Sequence, residues 1–342
     1  MNSSQLLLSV RGLNTGFISD RKLTRIVKDV SFDLERGKVM AVVGESGCGK
    51  SVLMNSILRF LGKNAVSTAE RISFYKKEAD GSISEQRIDQ FRKPNGPEMR
   101  ALRGPHISMV FQDPMSALNP AYRVGNQVIE GLRQHYKMSK KEAMQKALEM
   151  FQKLSIPDAE ARLQSYPHEF SGGMKQRVVI AIAMICDPEL IICDEPTTAL
   201  DVTIQAQIME ILQGLKEKDG KSIILVTHNM GLVAQMADTV CVMYMGRIVE
   251  SGSLQAVFDN PSHPYTQALL RSVPVLGMAA GTRLQTIPGS TPNPSELGAG
   301  CEFADRCEFC TDACRVKDVP LYEIEPGHNA RCIRYKDRPE VH

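Results

Sequence analysis

The stretch VMAVVGESGCGKS, residues 39–51, joins a short apolar run to a glycine-rich turn. Val39 to Val43 have the length and branched character of a buried strand. The residues that follow match the phosphate-binding loop pattern G-x-x-x-x-G-K-S; they are Gly44, Glu45, Ser46, Gly47, Cys48, Gly49, Lys50 and Ser51, with Val52 next in a predicted helix. Because every fixed position is filled, a glycine-rich turn that binds nothing is the weaker interpretation. The stretch therefore predicts a nucleotide site beyond a buried strand.

The residue types of this loop suit phosphate chemistry. Glycines let successive backbone N–H groups point inward, and the N-terminus of the following helix attracts anions. We expect Lys50 to reach the β- and γ-phosphates and Ser51 to ligate Mg²⁺. Cys48 occupies a position open to any residue, and we assign its side chain no role.

A second apolar run, residues 190–193, ends in the carboxylates Asp194 and Glu195. Charges at a buried strand end are costly unless a cation and a water need them. We expect Asp194 to hold Mg²⁺ and Glu195 to orient or deprotonate the attacking water, because phosphoryl transfer requires an aligned nucleophile. Alone, this string would indicate only a solvated strand end. Together with the phosphate loop it indicates nucleotide hydrolysis.

Short apolar runs separated by helical patterns predict an α/β fold with a largely parallel sheet. Further strands are expected at residues 107–111, 190–193 and 222–226, and Val30, Phe32 and Leu34 alternate as in a half-exposed strand. Ser139 and Glu142 form a predicted capping box before a helix with one apolar face. Residues 63–104 are polar, with a turn at Asp80-Gly81, and predict surface hairpins.

The composition narrows the class of partner. The 342 residues are 43% apolar and 23% charged, with a formal charge of +2, so nothing in the charge favours nucleic acid or anionic lipid. No apolar run is long enough for a membrane span, and the N-terminus lacks the pattern of a signal peptide, which predicts a protein that stays in the cytoplasm. In that compartment the nine cysteines are expected to be thiols or metal ligands rather than disulfides.

The segment FSGGMKQR, residues 170–177, carries a resemblance: with it the chain is similar to the ATP-binding-cassette (ABC) ATPases. The resemblance implies an ABC-type nucleotide-binding domain at 1–260, with a RecA-like parallel core, an antiparallel β-subdomain and an α-helical signature subdomain at about 121–186. A cysteine-rich extension would occupy 261–342, after a linker rich in Gly, Pro, Ser and Thr at 278–300.

The resemblance also implies roles for single residues. Two cassettes would close head to tail, so that the turn of Ser171, Gly172 and Gly173 contacts the γ-phosphate bound to the opposite subunit. Gln112 would link Mg²⁺ and water to the membrane subunits, Asp201 would lie in the loop between cassettes, and His228 would contact the γ-phosphate. Phe17 would stack on adenine, with a buried strand-edge aromatic as an equally weighted alternative.

Four stretches resemble the dipeptide/oligopeptide and nickel importers within that family: residues 112–120, 195–203, 263–270 and the cysteine tail. The resemblance implies an ATP hydrolase that drives peptide import at the cytoplasmic face of a bacterial inner membrane. Its partners would be two permease subunits, a second ATPase, more often a paralogue than an identical copy, and an extracytoplasmic binding protein. Nickel, antimicrobial-peptide or oligosaccharide import is the alternative. A soluble ABC ATPase of DNA maintenance or translation is disfavoured by the short interval between loop and signature and by the single cassette.

Five cysteines lie in the polar tail, which has too few apolar residues for a core of its own and therefore predicts a staple. Four thiolates hold either Zn²⁺ or an iron–sulfur cluster. The resemblance selects Cys301, Cys307, Cys314 and Cys332 as ligands of a [4Fe–4S] cluster, with Zn²⁺ as the alternative. Cys310 would then be a bystander.

Overall fold

The computed structural model describes residues 5–78, 80–198, 200–272 and 287–341. In chain order, the strands β1 to β14 of these residues are Leu6–Ser19, Lys22–Glu35, Val39–Val43, Ala65–Thr68, Arg71–Lys77, Ile83–Arg87, Ile107–Val110, Leu190–Asp194, Ser222–Thr227, Thr239–Tyr244, Arg247–Ser253, Leu321–Glu325, His328–Ala330 and Glu340–Val341. The helices α1 to α13 are Lys50–Ile57, Pro97–Leu102, Pro114–Ala117, Val124–Val128, Glu130–Tyr136, Lys140–Lys153, Ala159–Gln164, Gly172–Met184, Val202–Glu217, Met230–Met236, Leu254–Asp259, Pro264–Arg271 and Ala313–Val316.

The main sheet confirms the α/β prediction. Its strand order is β14-β12-β13-β11-β10-β3-β9-β8-β7, and the neighbours from β10 to β7 are parallel. The predicted strands at 39–43, 107–111, 190–193 and 222–226 correspond to β3, β7, β8 and β9, with ends within one residue. The central strand β3 is buried along its whole length. Parallel strands with buried faces place their carboxyl ends, and the residues that follow them, along one edge.

A second sheet is antiparallel, with the order β2-β1-β5-β6, and β4 also pairs with β1. The predicted alternation of Val30, Phe32 and Leu34 is confirmed on β2, where all three are buried. The hairpin turn at residues 80–81 joins β5 and β6 as expected. The prediction of surface hairpins for 63–104 is wrong in one respect, because Phe74 of β5 is fully buried in a core shared with β3.

Helices α4 to α8 follow one another between β7 and β8, inside the span predicted for the helical subdomain. The predicted capping box at the start of α6 is confirmed: the Ser139 side chain accepts from the Glu142 N–H, and the Glu142 carboxylate accepts from the Ser139 N–H. The buried face of α6 presents Ala143, Ala147 and Phe151 to an apolar core that also contains residues of α4 and α8. Among the described residues, no helix has the length and apolarity needed to cross a bilayer.

The C-terminal segment continues the main sheet. Strand β13 pairs with β11 in antiparallel fashion, and β12 and β14 extend the sheet beyond it. Tyr265 and Phe303 are buried in an apolar cluster with Val43 and Val242 of the central strands. The tail therefore shares the core of the body, and this burial holds it in addition to the expected staple, which stays a prediction. In the predicted linker, residues 278–286 lie outside the described residues, and 287–300 contain neither helix nor strand.

Candidate functional site

The phosphate loop follows β3 directly and ends at α1. Gly49 is the N-cap of α1 with φ 104°, a left-handed conformation that glycine adopts without steric cost. At Gly44 a side chain would clash, because an added Cβ would lie 2.2 Å from the Met243 carbonyl oxygen. Two of the loop glycines are therefore required by backbone geometry, and Ser46 and Gly47 are left exposed at its tip.

Lys50 lies folded back over this loop and is buried. Its Nζ donates to the carbonyl oxygens of Gly44 at 2.8 Å and Glu45 at 3.0 Å. Those bonds hold the ammonium group inside the loop, where phosphate oxygens would exchange with the carbonyl oxygens as its acceptors. Cys48 is also buried, which raises the pKa of its thiol and makes it a packing residue.

Asp194 ends β8 at the same edge, and its side chain is buried. Burial raises the pKa of this carboxyl, an effect that the Ser51 hydroxyl opposes and the Glu195 charge reinforces. Among the residues that the structure describes, Asp194 Oδ1 finds no hydrogen-bond partner. A buried carboxylate oxygen without a partner beside a serine hydroxyl fits a Mg²⁺ site, because hard cations prefer such oxygen ligands.

Four polar side chains surround the Glu195 carboxylate. Its Oε2 accepts from Gln112 Nε2 at 3.0 Å and from Thr198 Oγ1 at 2.9 Å. Its Oε1 lies 3.3 Å from His228 Nδ1 and 4.0 Å from Lys50 Nζ. The structure thus brings together Gln112, Lys50, Asp194, Glu195 and His228, all of which the sequence predicted for this site.

The electrostatics of Glu195 favour a charged base. Burial acts to raise the pKa of the carboxyl, but the hydrogen bonds from Thr198 and His228 and the charge of Lys50 outweigh it, so the pKa lies below its ordinary value. Glu195 also has φ 47°, in the left-handed region that residues with a Cβ rarely adopt. Strain of this kind is common at functional sites.

The turn of Ser171, Gly172 and Gly173 forms a second group of residues with Asp201. Ser171 is the N-cap of α8 and accepts from the Met174 N–H, while Asp201 is the N-cap of α9 and accepts from the Ile204 N–H. An added Cβ at Gly173 would lie 2.8 Å from the side chain of Ile204, so glycine is needed for helix packing. Ser171, Gly172 and Asp201 stay exposed at the helix N-termini, where an anion from outside the chain has access.

Phe17 is half-buried on β1, opposite Thr24 of β2. Strand β2 reaches the phosphate loop through Ile26, whose carbonyl oxygen would lie 3.0 Å from a Cβ added at Gly49. Phe17 therefore lies on the sheet that borders the loop. Its stacking on adenine stays a prediction.

Three further residues complete the site and escaped sequence analysis. Thr198 donates to Glu195, and the Tyr265 hydroxyl accepts from the backbone N–H of Glu45 at 2.8 Å. Arg306 binds the Glu45 carboxylate with two nitrogens, at 2.6 and 3.0 Å. Arg306 follows the loop by 261 residues, and no local pattern signals such a contact.

The structure brings four of the five tail cysteines together. Cys301, Cys307, Cys314 and Cys332 line one small cavity, and Cys310 is not part of that lining. All nine cysteines of the chain are free thiols. The cavity is about 20 Å³, roughly the space of one water molecule, so a four-iron cluster requires the thiols to move apart. Within the described ranges no three His, Cys, Asp or Glu side chains are arranged to hold a metal ion, so the expected preformed metal site is not seen.

Comparison with known proteins agrees with this geometry. The family model for "ABC transporter" matches residues 27–198, and the model for "Oligopeptide/dipeptide transporter, C-terminal region" matches residues 249–314. The "Probable peptide ABC transporter ATP-binding protein y4tR" of Sinorhizobium fredii is 46% identical over 97% of this chain and 96% of its own length. The "Dipeptide transport ATP-binding protein DppD" of Bacillus subtilis is 48% identical over 88% of this chain and 86% of its own length.

Solved structures show the same fold. The "Dimeric Structure of MJ0796, a Bacterial ABC Transporter Cassette" superposes with a TM-score of 0.60 at 25% identity, covering 72% of this chain and 99% of that one. The chain belongs to the ATP-binding-cassette transporter family and is an ATP hydrolase of that family.

Proposed function

We propose that this ATPase powers the import of dipeptides or oligopeptides through a membrane transporter. The observation that carries the proposal is the succession of two family regions in one chain, a cassette at 27–198 and an oligopeptide/dipeptide transporter C-terminal region at 249–314. The names of near full-length relatives, among them the dipeptide transport protein of B. subtilis, support the same cargo.

In the proposed mechanism, the phosphate loop and Lys50 hold the phosphates, and Asp194 and Ser51 hold Mg²⁺. Asp194 and Ser51 would hold the ion so that its positive charge offsets the negative charge that develops during phosphoryl transfer. Glu195, kept ionised by its donors, accepts a hydrogen bond from the attacking water and aligns it for in-line attack. Gln112 and His228 border the same carboxylate and would keep that water oriented.

A second cassette is part of the proposal. The group of Ser171, Gly172, Gly173 and Asp201 belongs to the N-termini of α8 and α9, whereas Asp194 and Glu195 lie at the carboxyl end of β8. As the family resemblance implies, each of the two groups would act on a different ATP. The MJ0796 cassette, which shares the fold, is dimeric in its solved structure. The further partners would be two permease subunits and an extracytoplasmic binding protein, with this chain bound peripherally at the cytoplasmic face of the bacterial inner membrane. No nucleic acid is involved.

For the tail, we propose that Cys301, Cys307, Cys314 and Cys332 bind a [4Fe–4S] cluster, with Zn²⁺ as the alternative. The four thiols that line one cavity support a thiolate site, and both metals accept such ligands. Anaerobic purification followed by iron, sulfide and zinc analysis decides between them. Stoichiometric zinc without sulfide contradicts the cluster, and the absence of both metals contradicts the site.

We also propose the division into an ATPase domain at 1–260 and an extension at 261–342. The matched cassette region ends at residue 198 and the matched C-terminal region begins at residue 249, which supports a boundary in this part of the chain.

The cargo is tested by uptake. A strain lacking this gene is complemented with the unaltered chain or with Glu195→Gln, and uptake of a labelled dipeptide, a labelled hexapeptide and ⁶³Ni²⁺ is measured. Peptide uptake that depends on the unaltered chain supports the proposal. Nickel uptake restored without peptide uptake would establish the alternative within the family.

A further inference from the structure

The second residue of the phosphate loop, Glu45, is bound by the C-terminal tail. Arg306 donates from Nη1 to Glu45 Oε2 at 2.6 Å and from Nη2 to Oε1 at 3.0 Å, the parallel two-bond geometry that fixes both partners. The Arg306 side chain is only 5% exposed and that of Glu45 is 25% exposed. An ion pair this sheltered is weakly screened by solvent, in contrast to the exposed pairs of the tail.

Arg306 is itself held in place. Its Nε donates to the Pro288 carbonyl oxygen at 2.8 Å, and its guanidinium lies 5.8 Å from the ring centres of Tyr244 and Phe303. Tyr265 packs against both of these rings and accepts from the Glu45 N–H. The backbone and the carboxylate of Glu45 are therefore both fixed by residues C-terminal to β9.

The charge of Glu45 makes this contact relevant to nucleotide binding. A carboxylate on the phosphate loop repels the triphosphate, and this repulsion is stronger near a protein surface than it is in bulk water. Arg306 offsets that charge and fixes the side chain through two hydrogen bonds. If the contact served only to anchor the tail, removal of either charge would change the affinity for ATP in the same way.

We propose that Arg306 is a positioning residue of the nucleotide site: the C-terminal tail neutralises and orients Glu45 and thereby sets the affinity of the phosphate loop for ATP. The inference rests on ATP binding at this loop. Because Arg306 directly precedes Cys307, the same short turn joins the cysteine cluster to the loop.

The test is a double-mutant cycle on the full chain, read by equilibrium binding of a fluorescent ATP analogue with Mg²⁺. Arg306→Ala leaves the carboxylate uncompensated and is expected to weaken binding about tenfold, which corresponds to about 1.4 kcal/mol. Glu45→Gln removes the repelling charge and is expected to tighten binding about two- to threefold. The double variant returns to within about threefold of the unaltered chain, and Arg306→Lys, which keeps the charge, restores most of the loss.

Arg315→Ala is the matched control, because Arg315 lies in the same tail, is 51% exposed and pairs with the exposed Asp305. Its binding should be unchanged, and amide hydrogen exchange of residues 44–51 should accelerate in Arg306→Ala but not in Arg315→Ala. Equal weakening by Arg306→Ala and Glu45→Gln, or no weakening by either, overturns the proposal. If Arg306→Ala does not fold, the other three variants still decide. Failure of the unaltered chain to bind the analogue would instead refute the phosphate-loop assignment, and the inference with it.

Discussion

Replacing Glu195 by glutamine removes one charge from the site and keeps the shape of the side chain. In the native site one carboxylate accepts from Gln112 and Thr198 and lies 4.0 Å from Lys50 Nζ. A glutamine oxygen retains the first two partners, but its NH₂ group then faces Lys50 and His228. The variant would therefore lack the carboxylate that we propose orients or deprotonates the water, while the loop, Lys50 and Asp194 are unchanged.

The size of the effect follows from the role of the carboxylate. General-base catalysis contributes on the order of 10²- to 10⁴-fold, so hydrolysis should fall about a thousandfold, equivalent to about 4 kcal/mol of activation free energy. Affinity for ATP should be kept or increase slightly, because a negative charge near the triphosphate has been removed. Single-turnover hydrolysis of labelled ATP measures the first quantity, and binding of a fluorescent analogue measures the second.

Glu189 offers a matched control, because it lies at the other end of β8, 23% exposed, and pairs with Arg36 and His106. Glu189→Gln makes the same chemical change beside the same strand and should lower stability while hydrolysis persists. Turnover in Glu195→Gln within about threefold of the unaltered chain would remove Glu195 from the catalytic role. An equal loss in Glu189→Gln would show that the effect reports structure rather than catalysis.

Three further predictions follow from the same contacts. Lys50→Ala should weaken ATP binding more than tenfold in an equilibrium titration, because it removes the ammonium group inside the phosphate loop. Ser171→Arg should abolish ATP-dependent dimerisation in sedimentation experiments while monomeric binding remains, since Ser171 is exposed at the N-terminus of α8. His263 is buried, which lowers its pKa from 6.5 to about 4. Because protonation of this histidine favours the unfolded state, its stabilising contribution is complete above pH 6.5 and is lost as the pH falls toward 4. This one group should therefore lower the free energy of unfolding by about 2 kcal/mol between pH 7 and pH 5. Urea unfolding of His263→Asn, which retains an acceptor for the Tyr265 N–H, should show that much less pH dependence.

One result would contradict each of these three predictions. Unchanged affinity in Lys50→Ala would contradict the assignment of the phosphate loop. Full hydrolysis by Ser171→Arg, independent of protein concentration, would contradict the use of a second cassette. An identical pH dependence in His263→Asn and the unaltered chain would assign the acid sensitivity to other groups.

Much of the fold was predictable because its signals are local. A continuous apolar run such as 39–43 has few alternatives to a buried strand, and the glycines that follow it restrict the chain to a turn that exposes backbone N–H groups. The capping box of Ser139 and Glu142 was likewise confirmed, since both partners lie within one helical turn. The burial of Phe74 was missed because polar residues surround a short buried stretch of β5, residues 72–74.

The sequence by itself indicated the chemistry of this protein. The phosphate loop and the two carboxylates at a strand end are short patterns whose residue types suit phosphoryl transfer, and residues 170–177 carry the resemblance to the ATP-binding-cassette family. Only the tertiary structure decided how the parts depend on one another. It joined β13 to the main sheet, placed the four tail thiols around one cavity and brought Arg306 onto Glu45. Contacts between residues so distant in the chain arise from sheet pairing and shared burial, and these are set by the free energy of the whole fold rather than by any local pattern.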